Sequence, residues 1–216
     1  MNRIVHRAGR LAVAACAGLV GLAGLASLSG CAPLVVGGAM VGGVLVATDR
    51  RTAGAQLEDQ AIEIKAANRV RELATLGNVS GTSFNRILLL TGEVPDAAEK
   101  ARVEAAVAGI ENLRSVVNEL TVAGNSSLTS RSNDTLITTK VKASFVDAKD
   151  LFANAVKVKT ERGVVYLMGL VTEREAERAS SIASTVPGVQ RVVKVFEMLT
   201  EEELARLRPA QAPGAR

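Results

Sequence analysis

Aromatic residues make up only 2% of this 216-residue chain, with no Trp, one Tyr and four Phe. There are two Cys, one His and five Pro. Two cysteines are too few for a disulfide scaffold or a cysteine-built zinc site. Scarce aromatics leave little for stacking on nucleic-acid bases. Charge is absent over one long stretch: from Leu11 to Thr48 there is no Asp, Glu, Lys or Arg. The chain is nonetheless 48% hydrophobic and 22% charged, with a formal net charge of +4, which excludes a mainly disordered polymer. Its length allows one domain or two small ones.

The uncharged stretch follows Arg3, Arg7 and Arg10, a basic start with no acid. This reads as a signal peptide with an apolar core from Leu11 to about Leu25 and small residues behind it. An uncleaved membrane anchor over about Ala8 to Gly30 is the alternative. Leu28-Ser29-Gly30-Cys31 resembles the bacterial lipobox, which implies that Cys31 becomes the lipidated first residue of the mature chain. Cleavage there lowers the basic count from 26 to 23 against 22 acids, so the net charge falls from +4 to +1. His6 and Cys16 are lost as well. The mature chain has no His, and Cys31 is its only Cys. That closes off histidine acid–base catalysis, Ser-His and Cys-His nucleophiles, His or Cys metal sites and disulfides. The expectation is a protein that is not an enzyme, with no catalytic residues, metal or cofactor.

Residues after Cys31 form an apolar run too short and too glycine-rich to span a bilayer, and read as a flexible tether near its surface. Beyond the tether the chain repeats itself. Val79–Val94 aligns with Val156–Val171 at an offset of 77, and the following helix at 76: Glu99 meets Glu175 and Arg102 meets Arg178. Each copy reads as helix, strand, strand, helix, strand. In the first copy these are Leu57–Leu76, Val79–Ser83, Ile87–Glu93, a helix opened by Asp96-x-x-Glu99, and Leu113–Val122. In the second they are Asp134–Val146, Ala155–Thr160, Val164–Leu170, a helix opened by the capping box Thr172-x-x-Glu175, and Val189–Leu199. The predicted fold is α+β, two tandem αββαβ units, each a three-stranded mixed sheet with two helices on one face. The segments are 1–30 signal peptide, 31–55 tether, 56–122 first domain, 123–132 linker, 133–199 second domain and 200–216 tail, in which 201–207 can extend a helix.

Three stretches carry a family resemblance: Asp49-Arg50-Arg51-Thr52-x-Gly54 after the tether, Leu89-Leu90-x-Gly92-x-Val94 echoed by Tyr166-Leu167-Met168-Gly169-Leu170-Val171, and Asp134-Thr135-Leu136-Ile137-Thr138-Thr139-Lys140-Val141-Lys142. With the lipobox and the repeat, the chain resembles the dual BON-domain outer-membrane lipoprotein family from Cys31 to about Leu199. The resemblance implies a periplasm-facing protein anchored on the outer membrane, supporting envelope integrity and binding anionic phospholipid through its second BON domain. The strand glycines Gly92 and Gly169 read as places where another backbone packs close.

Charge gives an independent test. Gln56–Val122 holds 7 basic and 10 acidic residues, whereas Asn133–Leu199 holds 10 and 8, so only the second domain has the sign suited to an anionic surface. If Ile137, Val141 and Phe145 face the sheet, Leu136, Lys140 and Lys142 lie outside that stripe and form the candidate phospholipid site. The family often has an aromatic residue at the Leu136 position, so Leu136 is a departure. A solvated helix face with one incidental exposed Leu is the plainer alternative. Asp49-Arg50-Arg51 reads as a solvated or domain-docking segment. No glycine loop precedes a Lys-Ser/Thr pair, and neither nucleic acid nor a small-molecule substrate is expected. A second class of function is a protein-interaction adaptor for outer-membrane assembly or peptidoglycan-remodelling machinery.

Overall fold

A computed structural model describes residues 49–73 and 75–207. The segment read as a signal peptide, Cys31, most of the expected tether and the tail beyond 207 lie outside the described residues.

Helix α1 (Ala53–Glu72) opens the fold, followed by strands β1 (Asn78–Phe84) and β2 (Ile87–Val94), helix α2 (Ala97–Ala108), and strands β3 (Ser115–Asn118) and β4 (Thr121–Val122). The second half repeats the order with helix α3 (Leu128–Asp147), a 3-10 turn (Ala153–Ala155), strands β5 (Val156–Glu161) and β6 (Val164–Val171), helix α4 (Glu173–Thr185) and strand β7 (Arg191–Met198). Helix α5 (Glu201–Leu207) is the last element among the described residues and follows its own N-cap, Thr200, whose Oγ1 accepts from Glu203 N at 3.1 Å. In both sheets the middle strand pairs antiparallel with the strand before it and parallel with the strand after α2 or α4.

Two details differ from the sequence reading. Helix α3 starts at Leu128 and takes in residues 128–132, because Ser127 caps it by accepting from Ser130 N at 3.1 Å. The polar run Thr129–Asn133 carries no apolar period, so periodicity misses this first turn and a half. The last strand of the first domain is broken at Glu119-Leu120, where Leu120 turns into the core and β4 resumes along the same edge of β2.

Each sheet buries one face under its own two helices. In the first domain Ile62 and Ala66 of α1 meet Leu88, Leu90 and Val94 of β2 and Val103 and Val107 of α2. In the second, Ile137, Val141 and Phe145 of α3 meet Val165, Leu167 and Val171 of β6 and Ala176, Ala179 and Ala183 of α4. The opposite faces pack against each other: Phe84 and Leu89 from the first sheet join Tyr166, Met168 and Leu170 from the second. The result is four layers, helix–sheet–sheet–helix. This explains why Leu88–Val94 and Val165–Val171 are buried at every position instead of alternating.

The two strand glycines do what a missing Cβ allows. A Cβ on Gly92, whose φ is +117°, would collide with the Asn78 carbonyl of β1; on Gly169 it would meet the Ala155 carbonyl at 2.5 Å. Both β-hairpins turn on two left-handed residues, Asn85-Arg86 and Arg162-Gly163. In each domain one aspartate of the first helix holds that turn. Asp134 accepts from the N–H of Arg162 and of Gly163 at 2.8 Å each. Asp59 accepts from Asn85 N at 2.8 Å, Arg86 N at 2.7 Å and Ser83 Oγ at 2.6 Å. Both aspartates are buried. The repeat could have revealed them, since Asp59-x-x-Ile62 aligns with Asp134-x-x-Ile137.

Candidate lipid-facing surface

On α3 the buried residues are Asp134, Ile137, Val141 and Phe145. At about 100° per residue, the opposite side of the helix carries Leu136, Thr139, Ala143 and Val146. Leu136 is 58% exposed and Val146 72%, and Leu128 at the start of the helix is 80% exposed. These three large apolar side chains therefore lie along one outward face. Neither Lys140 nor Lys142 makes a hydrogen bond or ion pair with another described residue. Both are exposed.

The fold brings Leu136 and Lys140 together but sets Lys142 apart. Leu136 and Lys140 are one turn apart and line the same cleft, about 440 Å³, whose far wall is Arg162-Gly163 and Pro187-Gly188. Lys142 lies about 160° around the helix from Lys140, on the flank facing the first domain. There it borders two grooves, one with Asn78 and Ser80 of β1, the other with Arg51 and Phe84. The three residues thus form a pair and an outlier on either side of the apolar stripe.

Around this helix the charges are largely committed. Arg162 donates to Glu93 Oε1 at 3.4 Å and to the Gly124 carbonyl at 3.3 Å, tying the second domain's hairpin to the first domain. Burial pushes the Glu161 carboxyl above its ordinary value; Lys159 opposes this, while Glu93 and Asp134 add to it. Burial beside Glu119 likewise raises the Tyr166 phenol to about 12. At the other end of the interface Lys157 donates to Glu63 at 2.7 Å and to the Ser83 carbonyl at 2.9 Å, and Arg114 reaches both Glu197 oxygens at 3.0 Å. Among the described residues no group of three His, Cys, Asp or Glu is arranged to hold a metal, and no helix is long and apolar enough to cross a membrane.

Two αββαβ halves with glycine-bearing middle strands and an aspartate-held hairpin define the class of protein. The BON domain family model matches residues 58–124 and 133–200, and the chain belongs to the BON-domain family. It is 42% identical over 174 residues to the outer membrane lipoprotein DolP of Haemophilus influenzae, covering 79% of this chain and 89% of that one. It is 30% identical over 151 residues to the 21 kDa hemolysin of Actinobacillus pleuropneumoniae, covering 68% and 78%. It is also 30% identical over 141 residues to the osmotically-inducible protein Y of Escherichia coli, covering 63% and 70%. One of the three is named a lipoprotein, and none of the three names states an enzymatic activity.

Proposed function

We propose that the protein is a non-enzymatic lipoprotein, acylated at Cys31 and held on the periplasmic face of the outer membrane. Its second domain binds anionic phospholipid through Leu136, Lys140 and Lys142 and so supports envelope integrity. The observation that carries this reading is the outward face of α3, where exposed Leu136 and Val146 run between two lysines whose side chains have no partner among the described residues. Leu136 enters the headgroup region while Lys140, one turn away, meets phosphate. Lys142, on the other flank, adds long-range attraction worth about 1 kcal/mol. The likeness to a protein named an outer membrane lipoprotein, together with the Leu-Ser-Gly-Cys31 sequence, supports the anchor and its location.

Vesicle flotation of the fragment Asp49–Leu207 tests the lipid reading. It is expected to float with vesicles containing phosphatidylglycerol and not with phosphatidylcholine alone. Lys140→Glu reverses one charge, about 2 kcal/mol, so binding should fall roughly 30-fold. Leu136→Glu/Lys140→Glu should abolish flotation, and Lys142→Glu should weaken it less. Equal flotation with neutral vesicles, or none lost in the double variant, contradicts the proposal.

A protein-docking role finds support in the first domain. Leu57 and Ile64 are 68% and 63% exposed and lie seven residues apart on one face of α1, on the domain whose net charge does not favour anionic lipid. An assembly or peptidoglycan-remodelling partner bound there would make the lipid contact a means of placement.

A further inference from the structure

The tether enters the fold at Asp49–Thr52, and its two arginines go to different domains. Thr52 caps α1 by accepting from Ala55 N at 3.1 Å, which fixes the chain at that point. Arg51 stays with the first domain: it donates to Asp59 at 2.6 Å and to Asp49 at 2.6 and 3.1 Å, and its guanidinium lies 4.2 Å from the Phe84 ring centroid. Arg50 crosses to the second domain. Its two terminal nitrogens donate to the two Glu175 oxygens at 2.7 Å each, and Nη1 donates again to the Leu170 carbonyl at 2.7 Å. The Phe152 ring lies 5.8 Å away. The side chains of Arg50 and Glu175 are 9% and 2% exposed. A planar bidentate pair with a third acceptor and an aromatic wall is a guanidinium receptor, and lysine could not fill it equally.

Among the described residues the first domain has no counterpart. Glu99, which matches Glu175 in the repeat, pairs with Arg102 of its own helix, a side chain 57% exposed. Nor do the other pairs between the domains share this burial: Lys157–Glu63, Arg114–Glu197 and Arg191–Glu119 are part-exposed, and Arg162 is 43% exposed opposite Glu93, so solvent weakens them. Leu170 and the Arg162-Gly163 hairpin stand at opposite ends of β6, about 23 Å apart. Arg162–Glu93 and Arg50–Glu175 therefore fasten the two ends of the interface separately.

We infer that the Glu175–Leu170–Phe152 slot is a binding site for the end of the tether. Through it, Asp49–Thr52 latches the two BON domains into one body. A chain trimmed to the family boundary at residue 58 loses the latch altogether. The inference is independent of lipid binding.

The mature full-length lipoprotein in neutral detergent micelles tests it, carrying spin labels at Ala105→Cys in α2 and Ser181→Cys in α4. The parent should give one narrow interdomain distance. Arg50→Ala should broaden it with a longer component and raise amide exchange at Leu89 and Met168 at least ten-fold, with Arg50→Lys intermediate. An unchanged distance and unchanged exchange in Arg50→Ala/Arg51→Ala overturns the latch. So does a matching rise in exchange at Ala179, inside the second domain's own core, since that makes Arg50 a structural part of one domain only.

Discussion

The two BON domains share a fold and differ in what their first helices show to the outside. Aligned on the buried aspartates, Leu136 of α3 corresponds to Ala61 of α1, and Lys140 corresponds to Lys65. Lys65 pairs with Glu111 at 3.1 Å, whereas Lys140 makes no ion pair with a described residue. One scaffold therefore carries a helix with a small residue and a committed lysine, and another with a large apolar residue and an available one. Both domains keep the hairpin lock, and they differ on the outward helix face, where a substitution disturbs no packing.

The lock offers the strongest way to break the comparison. Both aspartates satisfy hairpin amides, but Asp59 also serves Ser83 and Arg51. Asp59→Ala should cost about 3 kcal/mol, because it removes the bonds to Ser83 and Arg51 along with those of the turn, while Arg51 keeps Asp49. Asp134→Ala should cost about 2 kcal/mol. Urea unfolding of the two variants measures the difference, and equal losses would mean that neither Ser83 nor Arg51 adds anything through Asp59.

A smaller effect separates two carboxyls of the second domain. Burial alone would raise Glu175, but hydrogen bonds from Arg50 and the Thr172 amide outweigh it and hold the group below the ordinary 4.5. Its contribution is present above that value and is lost as pH falls through the depressed one. Glu161 is shifted upward, so its folded form holds the proton more tightly and its charge destabilises the fold at neutral pH. Glu161→Gln should therefore raise stability at pH 7, with the gain disappearing below about pH 4. Glu175→Gln should lower stability at pH 7 and converge with the parent in acid. Thermal melts across pH 3–8 distinguish the two signs.

Much of this architecture is legible in the residues. The offset between Val79–Val94 and Val156–Val171 reveals the duplication, Asp96 and Thr172 mark helix starts that the structure keeps, and Asn85-Arg86 falls where the hairpin turns. The sheet-on-sheet packing was written in Val164–Val171 only indirectly. An unbroken apolar strand says that both faces are covered, not what covers them. The start of α3 was hidden because a cap such as Ser127 leaves no periodic trace. The reach of Arg50 to Glu175 spans 125 residues and depends on tertiary placement that no local pattern encodes. Of the candidate lipid residues, helical spacing brought Leu136 and Lys140 together, but the same spacing should have separated Lys142.

The central claim is that α3, and not α1, meets the membrane. Nanodiscs containing phosphatidylglycerol and a headgroup spin-labelled lipid, added to the isotope-labelled fragment Asp49–Leu207, test it most directly. Amides around Leu136, Lys140 and Val146 should broaden strongly while those around Ala61 and Lys65 stay sharp. Equal broadening on both helices, or none on either, would contradict the account.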